Sequence, residues 1–214
     1  MTNYLNKANI SGFFIVLFHI VGLVGFLNPN LSKLFLTFVP FHLLLMLILL
    51  IINQAAWGKN FWLFISLIFV LGVLIEIIGV STGLIFGSYT YGQTLGIKIA
   101  NVPLIIGVNW LILILSICAI LEKFKRLNNL QKAIIGALFL TLMDVLIEPV
   151  AIKYDYWHWQ NNIVPFQNYF GWFLVSFLFL KMCNQIDFHK SNKVAGLLLI
   201  TQLMFFIILN LTVV

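Results

Sequence analysis

Charge is what this sequence has least of. Only 8% of its 214 residues are charged and 62% are hydrophobic, with a mean hydropathy of +1.08. A water-soluble domain carries about a quarter of its residues as charges, so the solvent for most of this surface is a bilayer. Cysteine is nearly absent too. Cys118 and Cys183 sit inside apolar segments, far apart, with no C-x-x-C pair; they read as small lipid- or core-facing residues, neither a disulfide nor a metal pair. Four scattered histidines cannot supply the clustered set that an oxygen-activating membrane di-iron enzyme needs. His19 and His42, inside the first two apolar segments, read as interhelical hydrogen-bonding residues, and no metal is expected. There is no Gly-rich phosphate loop, no Rossmann fingerprint and no Asp-rich diphosphate–magnesium motif, which counts against a redox enzyme and a prenyltransferase. Internal repeats, low-complexity tracts and long linkers are also missing, so residues 1–214 read as a single transmembrane helical domain.

Long apolar runs take their place. A spanning helix needs roughly 20 mostly apolar residues. Seven segments qualify, at about 10–27, 34–52, 61–80, 102–121, 131–152, 169–183 and 194–214, the sixth being the shortest. Runs of this length argue against strands, since a barrel shows short alternating segments. The first is long for a signal core and "GFLNPN" offers no small-x-small site, so it reads as a retained helix. The expected fold is all-α: a polytopic membrane protein of about seven transmembrane helices. The net charge of +6 sets its orientation rather than marking a nucleic-acid partner. Lys7, Lys59, Lys123, Lys125, Arg126, Lys132, Lys181, Lys190 and Lys193 fall on the side of the N-terminus; Lys33, Lys98 and Lys153 fall opposite. The excess puts the N-terminus in the cytoplasm, "EKFKRLNNLQK" at the cytoplasmic surface, and the chain in a bacterial cytoplasmic membrane.

The polar residues gather on the other side. Two external loops, 81–101 and 153–168, are rich in aromatics, glycine and amides. The glycines of "STGLIFGSYTYGQTLGIKIAN" argue for a folded-back loop or short interfacial segments; the plainer alternative is an aromatic belt at the membrane surface. Three acids lie within apolar segments, Glu76 in the third and Asp144 and Glu148 in the fifth. Each costs at least ~2.5 kcal/mol to insert. Asp144 and Glu148 are four apart and share a helix face, with Pro149 following at once. Counting along the helices puts all three acids in the outer half of the membrane. Asn109, Trp110 and Trp172 fall at similar depth, so one aromatic-rimmed pocket would collect them. The alternative is carboxylates serving only as interhelical glue.

These residues form an ordered series. E-x-x-G-x-x-T-G-x-x-F-G-x-Y-x-Y is Glu76, Gly79, Thr82, Gly83, Phe86, Gly87, Tyr89 and Tyr91; then come Gly96, Val102-Pro103-Leu104 and Trp110. D-x-x-x-E-P is Asp144, Glu148 and Pro149; W-x-W is Trp157 and Trp159; P-x-x-N-x-x-G-W is Pro165, Asn168, Gly171 and Trp172. Over about residues 70–180 the chain resembles the carotenoid biosynthesis membrane family that includes the CruF-type carotenoid 1,2-hydratases and the bisanhydrobacterioruberin hydratases. The resemblance implies water addition across the terminal double bond of an acyclic ψ-end, of the lycopene or γ-carotene type, giving a tertiary 1-hydroxy group without a cofactor.

That chemistry needs a dry proton donor, a stabilised carbocation and a held water. Asp144 and Glu148 suit a pair of acids that share a proton, with Glu76 a third member holding water or proton. Tyr89, Tyr91, Trp110, Trp157, Trp159 and Trp172 are candidates for aromatic contact with the cation, Asn168 and Thr82 for positioning the water, and Asn109 for substrate contact. The polyene is expected to come sideways from the lipid. A carotenoid end-group cyclase begins with the same protonation, and a proton-coupled transporter also uses membrane acids. A retinal-binding protein is excluded, because the last segment, "VAGLLLITQLMFFIILNLTVV", has no lysine.

Overall fold

The computed structural model describes residues 6–213. Within them the apolar segments form seven α-helices: α1 (Lys7–Leu27), α2 (Pro29–Ile52), α3 (Lys59–Thr82), α4 (Ile105–Leu121), α5 (Asn129–Lys153), α6 (Phe166–Gln185) and α7 (Ala195–Thr212). The protein is an all-α, polytopic membrane protein. Five helices, α1, α2, α3, α5 and α7, are each long and apolar enough to cross a bilayer. The shortest helix is α4, with 17 residues, and not α6, with 20. Residues 102–104 are lost to α4 because they turn in a hairpin. The first turn of α6 carries Gln167 and Asn168, polar residues that hide a helix from hydropathy.

Helix ends are marked by ordinary chemistry. Asn28 closes α1 and opens α2, its side chain accepting from the Asn30 N–H at 3.0 Å, with Pro29 in the first turn. Asn128 and Gln131 cap α5 reciprocally. α3 stops at Gly83, whose φ of +66° suits a residue without Cβ. The axis of the bundle is α4: 15 of its 17 residues are buried, with α2, α3, α5, α6 and α7 packed around it. A helix enclosed in this way is apolar on every side.

The loops depart from the sequence reading, which expected no strands. Four short strands, β1 (Tyr89–Tyr91), β2 (Lys98–Ile99), β3 (Val102–Pro103) and β4 (Trp157–Trp159), make two antiparallel ribbons, β1 with β4 and β2 with β3. The β2–β3 turn is Ala100-Asn101, both left-handed (φ 48° and 67°), as a two-residue hairpin turn requires. The cysteines also depart from expectation. Cys118 on α4 and Cys183 on α6 are joined as a disulfide, with Cα atoms 6.8 Å apart; the two helices pack side by side, and spacing in sequence carries no information about that rotation.

The β1–β4 ribbon ties the two long loops together at one end of the bundle. At the other end, Gln54 bridges to Asn192 and the Asn60 amide donates to the Asp187 carbonyl at 2.8 Å. This alternation is the one the positive charges demand. Accordingly, a membrane-impermeant maleimide applied to intact cells is expected to label Ser88→Cys and Gln160→Cys but not Ser191→Cys; the opposite pattern would invert the orientation.

Candidate active site

Strand alternation explains the Y-x-Y and W-x-W spacings. In the β1–β4 register Tyr89 faces Trp159, Thr90 faces His158 and Tyr91 faces Trp157. Successive side chains in a strand point to opposite faces. The four aromatics therefore share one face, turned to the helices, while Thr90 and His158 face out and are exposed. The ribbon is a lid with an aromatic, hydrogen-bonding underside.

Beneath it lie the acids. Glu76 is 4% exposed, Glu148 2% and Asp144 fully buried. The Tyr89 and Tyr91 hydroxyls donate to Glu76 Oε2 at 2.5 and 2.8 Å, and Trp110 Nε1 donates to Oε1 at 3.1 Å. Trp157 and Trp159 donate to Glu148 Oε2 at 3.0 and 2.7 Å. Asn168, on α6, directs one amide nitrogen at two acids, Asp144 Oδ2 at 2.6 Å and Glu148 Oε1 at 3.1 Å. Asp144 Oδ1 is buried without a partner. Burial first, and then the Glu76 carboxylate, push the Tyr89 and Tyr91 phenols far above their ordinary value, so both stay protonated and donate.

Close packing shapes the walls. Trp110 stacks on Trp172 with centroids 4.4 Å apart. A methyl group on Gly171 would lie 2.6 Å from the Ile85 carbonyl oxygen and 2.8 Å from the Phe86 ring, so this position on α6 holds the 83–88 loop close. A small cavity of 30 Å³ remains, lined by Glu76, Phe86, Tyr89, Tyr91, Ile106, Asn109, Trp110, Glu148, Trp157, Trp159, Asn168 and Trp172. It has room for about one water molecule. Ile106, Asn109 and Trp157 also line a second, apolar cavity of 390 Å³ between α1, α2, α4, α5 and α7.

Most of the residues singled out in the sequence thus meet at one place. Two do not line it. Asp144 sits behind Glu148. Thr82 is exposed at the end of α3, where its hydroxyl donates to the Ile78 carbonyl at 2.6 Å and accepts from the Leu84 N–H at 3.2 Å; it terminates a helix and positions nothing in the cavity. Phe86 belongs to the motif series but was given no role, and Ile106 was passed over because one apolar residue among many gives no signal. The second cavity also contains His19, His42 and Gln202; Gln202, an amide inside the last apolar segment, was the legible clue.

Removing one donor from a buried carboxylate costs about 1.5–3 kcal/mol. Tyr91→Phe and Trp159→Phe are each expected to lower the unfolding midpoint in detergent accordingly. Thr90→Ala, on the outer face of the same ribbon, is expected to leave it unchanged; equal effects at all three positions would mean the lid does not satisfy the acids.

The chain has relatives among known proteins. The family model described as "Carotenoid biosynthesis protein" matches residues 35–214. A bisanhydrobacterioruberin hydratase from Haloarcula japonica is 34% identical over 109 residues, which cover 47% of this chain but only 36% of that protein. No solved structure matches the chain.

Proposed function

The chain belongs to the carotenoid biosynthesis protein family, and we propose that it is a hydratase that adds water across the terminal carbon–carbon double bond of an acyclic carotenoid end group. The observation that carries this reading is the pairing of two cavities. A chamber the size of a water molecule, walled by Glu76 and Glu148, shares Ile106, Asn109 and Trp157 with an apolar cavity about thirteen times larger (390 against 30 Å³). The smaller suits the water and the larger a length of hydrocarbon.

In the proposed reaction, Asp144 and Glu148 hold one proton between them. Asn168 binds both, and Asp144 Oδ1 has no protein donor, which suits a carboxyl that keeps a proton. Glu148 faces the chamber and transfers that proton to the less substituted alkene carbon. The π pair forms the new C–H bond and leaves a tertiary carbocation next door. The faces of Trp157, Trp159 and the Trp110–Trp172 stack surround that charge, a contact worth up to ~2 kcal/mol or more when dry. The chamber water attacks the cation, and Glu76 accepts the proton it releases. Proton return from Glu76 to the Asp144–Glu148 pair closes the cycle, with one water added. Asn109, in the wall common to both cavities, is placed to orient the water, the role first expected of Thr82.

The carotenoid reaches the site from lipid in this reading. Phe18 and Val21 on α1 and Phe38 and Phe41 on α2 line the larger cavity and are themselves exposed on the outer surface of the bundle, so the side door lies between these two helices.

The test is expression in a bacterium that makes lycopene or γ-carotene, with pigments analysed by mass. Wild type is expected to add one water per reacting end. Glu148→Gln and Glu76→Gln are expected to lower conversion by about 10²–10⁴-fold, the range for a general acid or base, with Asp144→Asn also strongly impaired. Full hydration by all three variants would remove the site. A pigment of unchanged mass but altered structure would identify ring closure, and an unaltered pigment with wild type would reject the hydratase.

A further inference from the structure

Besides Tyr156, which comes from the segment between α5 and β4, the larger cavity contains three polar side chains on helices that the proposed reaction does not use. They come from three helices: His19 on α1, His42 on α2 and Gln202 on α7. His19 and Gln202 are only 5% and 6% exposed. His19 Nδ1 lies 2.7 Å from the Ile15 carbonyl oxygen, which can only accept, so Nδ1 carries the proton and Nε2 of the neutral ring is left with a free lone pair. His42 packs edge-on against His19, ring centroids 4.7 Å apart, and makes no hydrogen bond among the described residues. Gln202 Oε1 is buried without a partner. Rotation about the last side-chain bond lets the Gln202 amide turn either its oxygen or its nitrogen to the cavity. Around the three stand Phe18, Phe26, Phe35 and Phe205, which offer no polar atom.

Unpaired polar groups in an apolar enclosure are costly, and a bare hydrocarbon satisfies none of them. No carboxylate or thiolate accompanies the histidines, and among the described residues no three His, Cys, Asp or Glu side chains group as metal ligands. No Lys or Arg lines the cavity to attract an anion. A hydroxyl group fits. It donates its proton to His19 Nε2 or Gln202 Oε1 and accepts from the His42 N–H. A ketone only accepts and leaves the two acceptors unmet.

We infer that His19, His42 and Gln202 form a subsite for a hydroxyl group, so that the preferred substrate is a polyene already carrying an alcohol further along the chain that enters the acid chamber. This rests on reading the larger cavity as the polyene's seat.

Binding tests it without turnover. The purified protein in lipid nanodiscs is titrated with acyclic polyenes of one length and one terminal alkene: the hydrocarbon, and a series with a single alcohol at successive positions from that alkene. Quenching of tryptophan fluorescence reads Kd. Wild type is expected to bind at least one alcohol about tenfold more tightly than the hydrocarbon, the worth of one or two buried hydrogen bonds. In Gln202→Leu and His42→Phe the ratio is expected to fall towards one, while His42→Gln, which keeps a donor and an acceptor, retains part of it. The ratio is internal to each variant, so binding of the hydrocarbon certifies the fold. Equal affinity of wild type for the hydrocarbon and every alcohol overturns the subsite, as does a preference that survives in both apolar variants. Failure of the hydratase reading shows separately, as pigments that gain no water.

Discussion

A carboxylate carried into a bilayer costs about 2.5–3.5 kcal/mol on insertion scales, and this chain carries three into one end of a single bundle. Left unmet, that cost would consume much of a typical fold's margin of about 5–15 kcal/mol. Hydrogen bonds to charged groups return about 1.5–3 kcal/mol each, so one donor per acid roughly breaks even and three do better. Glu76 and Glu148 each have three donor contacts. Tyr89, Tyr91, Trp157 and Trp159 supply four of these six, and all four stand on one face of the β1–β4 ribbon. The acids therefore hold the lid down, and the lid makes the acids tolerable. Neither is stable in place without the other, which is why the three-residue motifs Y-x-Y and W-x-W, one in each loop, have to be read together.

The same constraint fixes the helices. Asn168 can reach both Asp144 and Glu148 only if α6 lies tight against α5, and α5 and α6 pack over most of their length. Gly171, one turn further along α6, leaves space for Ile85 and Phe86 to close the wall. Trp110 links the outer end of α4 to Glu76 through its N–H and to α6 through its stack on Trp172. The central helix is thus part of the chamber, and the site is made of positions on α3, α4, α5, α6 and both long loops.

Much of this was legible before any coordinates. Hydropathy found every helix to within a few residues, because bilayer thickness dictates length and composition together. The acids stood out because their cost is so high, and counting depth along antiparallel helices brought Asn109, Trp110 and Trp172 to their level. Rotation about the helix axis was not legible, and this accounts for the misses. Cys118 and Cys183 meet because two helix faces happen to oppose each other. Asp144 pairs with Glu148 through Asn168, as residues four apart on a helix can, but it does not line the cavity. Thr82 belongs to the motif, yet a local bond to Ile78 uses its hydroxyl. The ribbon escaped for another reason: strands of three residues are too short to show an alternating pattern, although Y-x-Y and W-x-W were each one full period of it.

The two cavities also bear on how a carbocation could be steered in the proposed reaction. A tertiary cation in an apolar site has three fates: loss of a neighbouring proton, attack by another double bond, or capture by water. Capture wins only if a water is already in contact and no base touches the adjacent carbons. A 30 Å³ chamber holds about one water, and the carboxyl groups that line it are those of Glu76 and Glu148. With Oε2 of each acid occupied by two donors, the lone pairs left for proton transfer are confined to the Oε1 side, where Trp110 and Asn168 each engage one more. The hydrogen bonds that make the acids bearable in the membrane thus also limit where they can act as bases. A lid that satisfied the carboxylates less completely would leave more basic lone pairs exposed to the cation and would favour return to the alkene over the alcohol.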